Sequence, residues 1–288
     1  MCIHISVENP EKNGQFLALY FLLSYIISWT FWVALIIAFQ LNIGSIRDIV
    51  DPTNDFFINI ITRIGLFGPA LASVIVIYYE KKRSGLRELF SRIKKWRVGI
   101  EWYIAIIFVS IIPVLCALTV DILVDGSLPE IFSITFLFSA VILFFFILFF
   151  GGGLEEPGWR GYALPALQSK YNVTKSSLIL GFCWCFWHFP LFFIPGSSRG
   201  GLSSFPGFLL IGLGITFIFT WLYNNTESLF ATILFHTMFN ISSELLLPSS
   251  DNSIVGIVYM VVLWALVLLI GLKSYWSNHN TKNKIQLF

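Results

Sequence analysis

A polytopic bundle of transmembrane helices is the fold class this sequence predicts, and three observations carry that reading. Only 12% of the 288 residues are charged while 57% are hydrophobic, and the mean hydropathy is +0.80. Water-soluble domains carry about 25% charged residues, so this chain lacks the polar surface to cover itself in water. Apolar runs of roughly 20 residues recur, long enough at 1.5 Å per residue to cross a ~30 Å hydrocarbon core. No strand-like alternation of apolar and polar residues accompanies them, which argues against a β-barrel.

Eight spans follow from these runs, at about residues 16–39, 57–79, 102–124, 131–150, 177–194, 206–223, 228–247 and 254–272. The first 14 residues are polar and no cleavage site follows the first run, so that run reads as a retained helix. With no internal repeat, residues 1–288 read as one integral-membrane domain. The four cysteines, Cys2, Cys116, Cys183 and Cys185, sit in or beside apolar segments and read as small apolar fillers.

Orientation comes from the segment between the second and third spans, KKRSGLRELFSRIKKWR. It holds eight basic residues from Lys81 to Arg97 against one acid, Glu88, which makes this loop cytoplasmic under the positive-inside rule. Eight crossings then place both termini in the cytoplasm and fifteen of the eighteen basic residues on that side, leaving Arg47 and Arg199 outside and Arg63 within a span. A bacterial cell membrane is the expected location. Leu86, Leu89, Phe90, Ile93 and Trp96 recur at helical spacing in the same segment. That pattern predicts an amphipathic helix lying on anionic lipids.

An ionisable group at the centre of a span costs at least ~2.5–3.5 kcal/mol, so such groups are rare and either paired or functional. Here they are few. Glu155, Glu156 and Arg160 follow the fourth span in GGGLEEPGWR, His188 ends WCFWH in the fifth, and His236, Asn240 and Glu244 lie in the seventh. Spacing of four places Glu156 with Arg160, Trp184 with His188, and His236 with Asn240 on shared faces. Glu155, offset by about 100°, is free to face another element. Pro190 cannot bond the Phe186 carbonyl, so the fifth helix should kink or end near His188. Glu227 reads as a helix start, with Thr226 as its N-cap.

A carboxylate beside a neutral imidazole, sheltered from bulk water, can hold and deprotonate a water molecule. His236 and Asn240 can donate to the oxyanion formed when that water attacks a peptide carbonyl. The same residues also admit a metal: Glu155, His188 and His236 would make a two-histidine, one-carboxylate zinc set assembled across helices. Residue types alone leave metal-free and zinc-bound water open.

Three motifs in order resemble those of the CPBP intramembrane proteases, the Abi or CAAX-protease-and-bacteriocin-processing family. Glu155-Glu156-P-G-W-Arg160 resembles EExxxR, Trp184-C-F-W-His188 resembles FxxxH with tryptophan in place of phenylalanine, and His236-T-M-F-Asn240 resembles HxxxN. The segment GWRGYALPALQ and the GPALAS stretch from Gly68 look like further family features, and the motif-bearing core covers about residues 150–245. The resemblance implies an eight-span fold and an intramembrane endopeptidase related to the eukaryotic Ras-converting CAAX endopeptidase. It implies that Glu155 and His188 activate water, that Glu156 and Arg160 support them, and that His236 and Asn240 form an oxyanion hole or a second ligand pair. Family members are often labelled metalloproteases, which keeps both mechanisms open. The partners expected are a peptide or protein substrate near the cytoplasmic face and the bilayer, with no nucleic acid. A non-catalytic bacteriocin-immunity or partner-binding protein is the alternative, and a proton- or metal-coupled transporter is a third.

Overall fold

The computed structural model describes residues 10–41, 55–125, 133–194, 201–248 and 253–285; Cys2, Arg47 and Arg199 lie outside the described residues. Among the described residues every regular element is helical, and eight helices are long and apolar enough to cross a membrane. The first crossing is α1, Pro10–Gln40. The second joins α2, Asp55–Leu66, to α3, Gly68–Ile93, and the third is α4, Ile100–Asp125. The fourth starts as α5, Ile134–Phe150, and continues through broken helical turns to Gln168. Then come α6, Val173–Trp187, α7, Phe205–Thr226, α8, Leu229–Leu246, and α9, Ser253–Ile285. All eight expected spans are present, the second and fourth running further than hydropathy suggested, to Ile93 and Gln168.

Helix ends follow from local chemistry. The Ser133 hydroxyl accepts from the Phe136 amide at the start of α5, and the Asn172 side chain accepts from the Lys175 amide at the start of α6. Helix α8 corrects the expected cap. Ser228 caps it by accepting from the Ala231 amide, while Thr226 Oγ1 accepts from the Ser228 amide instead. Glu227 is the left-handed turn residue (φ 49°, ψ 30°) that closes α7, not a helix start.

Helices α1, α3, α6, α7 and α8 surround an aromatic core in which Tyr20, Trp32, Trp159, Trp187, Phe219 and Phe235 are fully buried. Hydrogen bonds between helices tie it together, since hydrocarbon supplies no partners for stray donors. From α1, Tyr25 OH donates to the Cys183 carbonyl at 2.7 Å and Trp29 Nε1 to the Trp187 carbonyl at 2.8 Å. Trp187 Nε1 donates back to Ser28 Oγ at 2.8 Å. Gly68 permits the close crossing of α1 and α3, because a Cβ there would stand 2.0 Å from Ser28 Oγ. By contrast α5 is largely exposed, from Ile134 to Phe150, as a lipid-facing helix would be.

The basic segment forms the distal half of α3. Its backbone breaks at Lys82 (φ 55°, ψ −149°), and helix resumes to Ile93. The expected amphipathic helix exists, but its apolar face does not lie on lipid alone. Leu89 is buried against Gly161 and Leu229, while Phe90 and Trp96 stay exposed. Arg92 donates to Tyr223 OH at 3.0 Å and to the Gly161 carbonyl at 3.4 Å. That carbonyl is available because Pro165, four residues on, has no amide proton to give it.

Candidate active site

The broken segment after α5 is where the charges enter the bundle. Helix α5 stops at Phe150, and the chain passes through extended Gly151 into a 3-10 turn, Gly152–Glu155. A short α turn, Glu156–Gly158, then leads into a π-helical turn, Trp159–Ala163. Each change of helical pitch rotates the next side chain, and π turns of this kind mark functional sites in helices. Gly152 is required by contact: a Cβ on it would sit 2.2 Å from His236 Nε2. The glycines thus let the 3-10 turn press directly on α8.

The two adjacent glutamates point to different partners. Glu156 Oε1 accepts from Arg160 Nη1 at 2.9 Å and pairs with His236 Nδ1 at 2.7 Å. The Arg160 guanidinium also lies over the Phe219 ring, 3.8 Å from its centroid, and has no solvent exposure. Glu155 turns the other way. Its Oε2 accepts from Trp184 Nε1 at 2.6 Å, and its Oε1 faces His188 Nε2 at 4.0 Å. His188 is the C-cap of α6, where Pro190 ends the helix as expected, and its Nδ1 meets the Trp184 carbonyl at 2.9 Å.

These contacts assign the His188 tautomer. A carbonyl can only accept, so Nδ1 carries the proton and Nε2 presents a lone pair in the neutral ring. His236 is likewise held at Nδ1 by a carboxylate. Donation from its Nε2 therefore requires the doubly protonated ring, with Glu156 as counter-charge.

Five of the six singled-out residues, Glu155, Glu156, Arg160, His188 and His236, are buried in one cluster, none more than 3% exposed. Asn240 stands one turn beyond His236 on α8 and is half-buried. Glu244, a further turn on, is exposed, so the polar stripe ends at Asn240. Among the described residues no three His, Cys, Asp or Glu side chains converge to hold a metal ion. Glu156 engages His236 at Nδ1, which leaves Nε2 as the ring nitrogen turned to the rest of the site. Sequence reasoning missed the Trp184 indole as a donor; the signal was its departure from phenylalanine in WCFWH.

The cluster is carried by helices long and apolar enough to cross a membrane. His236 is seven residues into α8, whose first turn is fixed to the basic segment by Ser228 Oγ donating to the Lys95 carbonyl. At 1.5 Å per residue that is roughly 10 Å from the basic end.

Residues 137–242 match the family model described as Rce1-like, type II CAAX prenyl endopeptidase. The chain is 28% identical over 274 residues, 90% of its own length and 95% of the relative's, to CAAX prenyl protease 2 of Methanococcus maripaludis.

Proposed function

From the similarity to the Rce1-like type II CAAX prenyl endopeptidases, we propose that this chain cleaves peptides bearing a prenylated CAAX end by a metal-free, glutamate-based hydrolysis. The observation that carries this reading is the facing pair Glu155 Oε1 and His188 Nε2, 4.0 Å apart. Both atoms are acceptors in the assigned states. A water between them can give one hydrogen to each, which turns its oxygen lone pair outward.

In this mechanism the water oxygen attacks the scissile carbonyl carbon as its proton passes to Glu155. The carbonyl oxygen becomes the oxyanion, received by His236 Nε2–H and the Asn240 amide. Collapse of the tetrahedral centre breaks the C–N bond, and Glu155 returns the proton to the leaving nitrogen. Glu156 and Arg160 hold His236 in place. The basic end is taken as cytoplasmic, so the substrate's chain end must come about 10 Å into the membrane to be cut.

The test uses the full chain in anionic phospholipid vesicles with a farnesylated CAAX peptide, cleavage being read by mass spectrometry. Glu155→Ala and His188→Ala, made separately, should each abolish cleavage while insertion and folding persist. Retained cleavage in either sinks the water-activation scheme. Wild-type protein that inserts and folds but is inert towards the peptide would favour a non-catalytic immunity or partner-binding role.

A further inference from the structure

The family motif has phenylalanine four residues before its histidine, a ring that packs but donates nothing. This chain has Trp184, and the extra heteroatom is engaged. Its indole N–H donates to Glu155 Oε2 at 2.6 Å from a side chain that is 5% exposed. Its main-chain carbonyl meets His188 Nδ1 at 2.9 Å. One residue thus touches both groups that face each other across 4.0 Å. The ring also stands edge-on to His188, with centroids 5.0 Å apart, and to His236, with centroids 6.0 Å apart.

The larger ring has its room built in. On α7, Gly212 faces it; a Cβ there would lie 3.3 Å from Trp184 Cζ3 and 2.2 Å from Cys185 Sγ. A side chain at 212 would collide with Cys185 Sγ and press more lightly on the indole.

We propose that Trp184 is a positioning residue for the hydrolysis, which rests on the peptidase reading above. Glu155 has two equivalent oxygens and a carboxylate torsion with a broad minimum. The indole N–H engages Oε2 in a charge-assisted hydrogen bond, and so fixes Oε1 as the oxygen that meets His188. The Trp184 carbonyl fixes the imidazole so that its lone pair, not its N–H, faces that oxygen. Without the indole donor the carboxylate can rotate away from the alignment that orients the water.

The discriminating experiment removes the N–H and keeps the ring. Trp184→Phe, and separately replacement by the benzothiophene isostere with sulfur in place of the indole N–H, are made in the full chain and assayed in vesicles on the farnesylated peptide. Loss of a buried hydrogen bond to a charged group should lower kcat roughly 10- to 100-fold in both. KM should move less than about threefold, because ground-state binding is not what the indole supports. With Glu155→Asp already in place the shorter side chain no longer reaches the indole, so the further loss on Trp184→Phe should nearly vanish. Wild-type kcat in either variant, or activity kept by the isostere and lost only with phenylalanine, overturns the proposal.

A second readout does not need turnover. In protein with ¹⁵N-labelled indoles, the Nε1–H resonance that disappears on Trp184→Phe should move upfield on Glu155→Ala. An unmoved resonance refutes the hydrogen bond itself. If wild-type protein fails to cut the peptide, the peptidase reading falls, while this resonance still decides whether Trp184 holds Glu155.

Discussion

Glu155 and Glu156 are the same residue type, adjacent in the chain and both buried, yet they live in different electrostatic settings. Glu156 shares one oxygen between a guanidinium and an imidazole, while Glu155 meets an indole N–H and an imidazole lone pair. Glu156 is tied to Arg160 and His236 and serves as an anchor, whereas Glu155 faces the His188 imidazole across 4.0 Å. That asymmetry gives each residue a distinct mutational signature. Arg160→Ala removes the guanidinium from a fully buried pair and leaves Glu156 with His236 as its remaining named partner. It should cost about 3–5 kcal/mol of stability, seen as a large fall in melting temperature in detergent. Glu155→Ala leaves the Glu156–Arg160 pair in place and should shift the melting temperature less while removing cleavage. Equal thermal losses in the two variants would contradict the division of labour. The spacing of four made the Glu156–Arg160 pair legible in the sequence. The partnership of Glu156 with His236 was not, because spacing fixes which face a residue takes and says nothing of which helix packs against it.

At the level of elements the proposed chemistry depends on a break in the fourth apolar helix. A continuous fourth helix would carry Glu155 and Glu156 past α8 on a smooth spiral. Instead Gly151 to Gly153 stop α5, and the 3-10, α and π turns that follow rotate the carboxylates apart. Gly152 is the most sensitive position, since a methyl group would occupy the place of the His236 ring, 2.2 Å from Nε2. Gly152→Ala should displace His236 from Glu156 and lower kcat at least about tenfold, a loss typical of a misplaced donor. Gly207, whose Cβ would meet nothing within 4 Å, is the matched control and should retain activity as alanine. Turn-forming glycines were readable as a place where a span gives out. Their use as a contact surface was not, because close approach is a property of the neighbouring helix. The basic segment shows the same limit: its periodicity announced an amphipathic helix, but not that Leu89 would seat on Gly161 or that Pro165 would free a carbonyl for Arg92. Even the cap of α8 moved from Thr226 to Ser228, since both hydroxyls suit the role and only the backbone path selects one.

For the whole molecule, composition and hydropathy sufficed to give the class and the number of crossings, because both depend on transfer of bulk apolar surface and hardly on packing detail. Orientation depends on charge, and here the magnitudes decide. The basic segment joins α3 to α4 at one end of the bundle, with Lys170 and Lys175 at the same end beside α6. Each Lys or Arg near an anionic inner leaflet contributes about 1 kcal/mol. Eight basic residues against one acid between Lys81 and Arg97 therefore outweigh Arg47 and Arg199, which the sequence assigns to the opposite side. The basic end should face the cytoplasm, and the candidate site would then lie roughly 10 Å from that end. Ser84 in the basic segment and Ser203 before α7 are both exposed and lie at opposite ends. In protein whose four cysteines are replaced by alanine, Ser203→Cys should react with a membrane-impermeant maleimide in intact cells. Ser84→Cys should react only after lysis. The reverse pattern would turn the molecule over, put the cleavage site within reach of secreted peptides, and replace a cytoplasmic CAAX-type substrate with an external one.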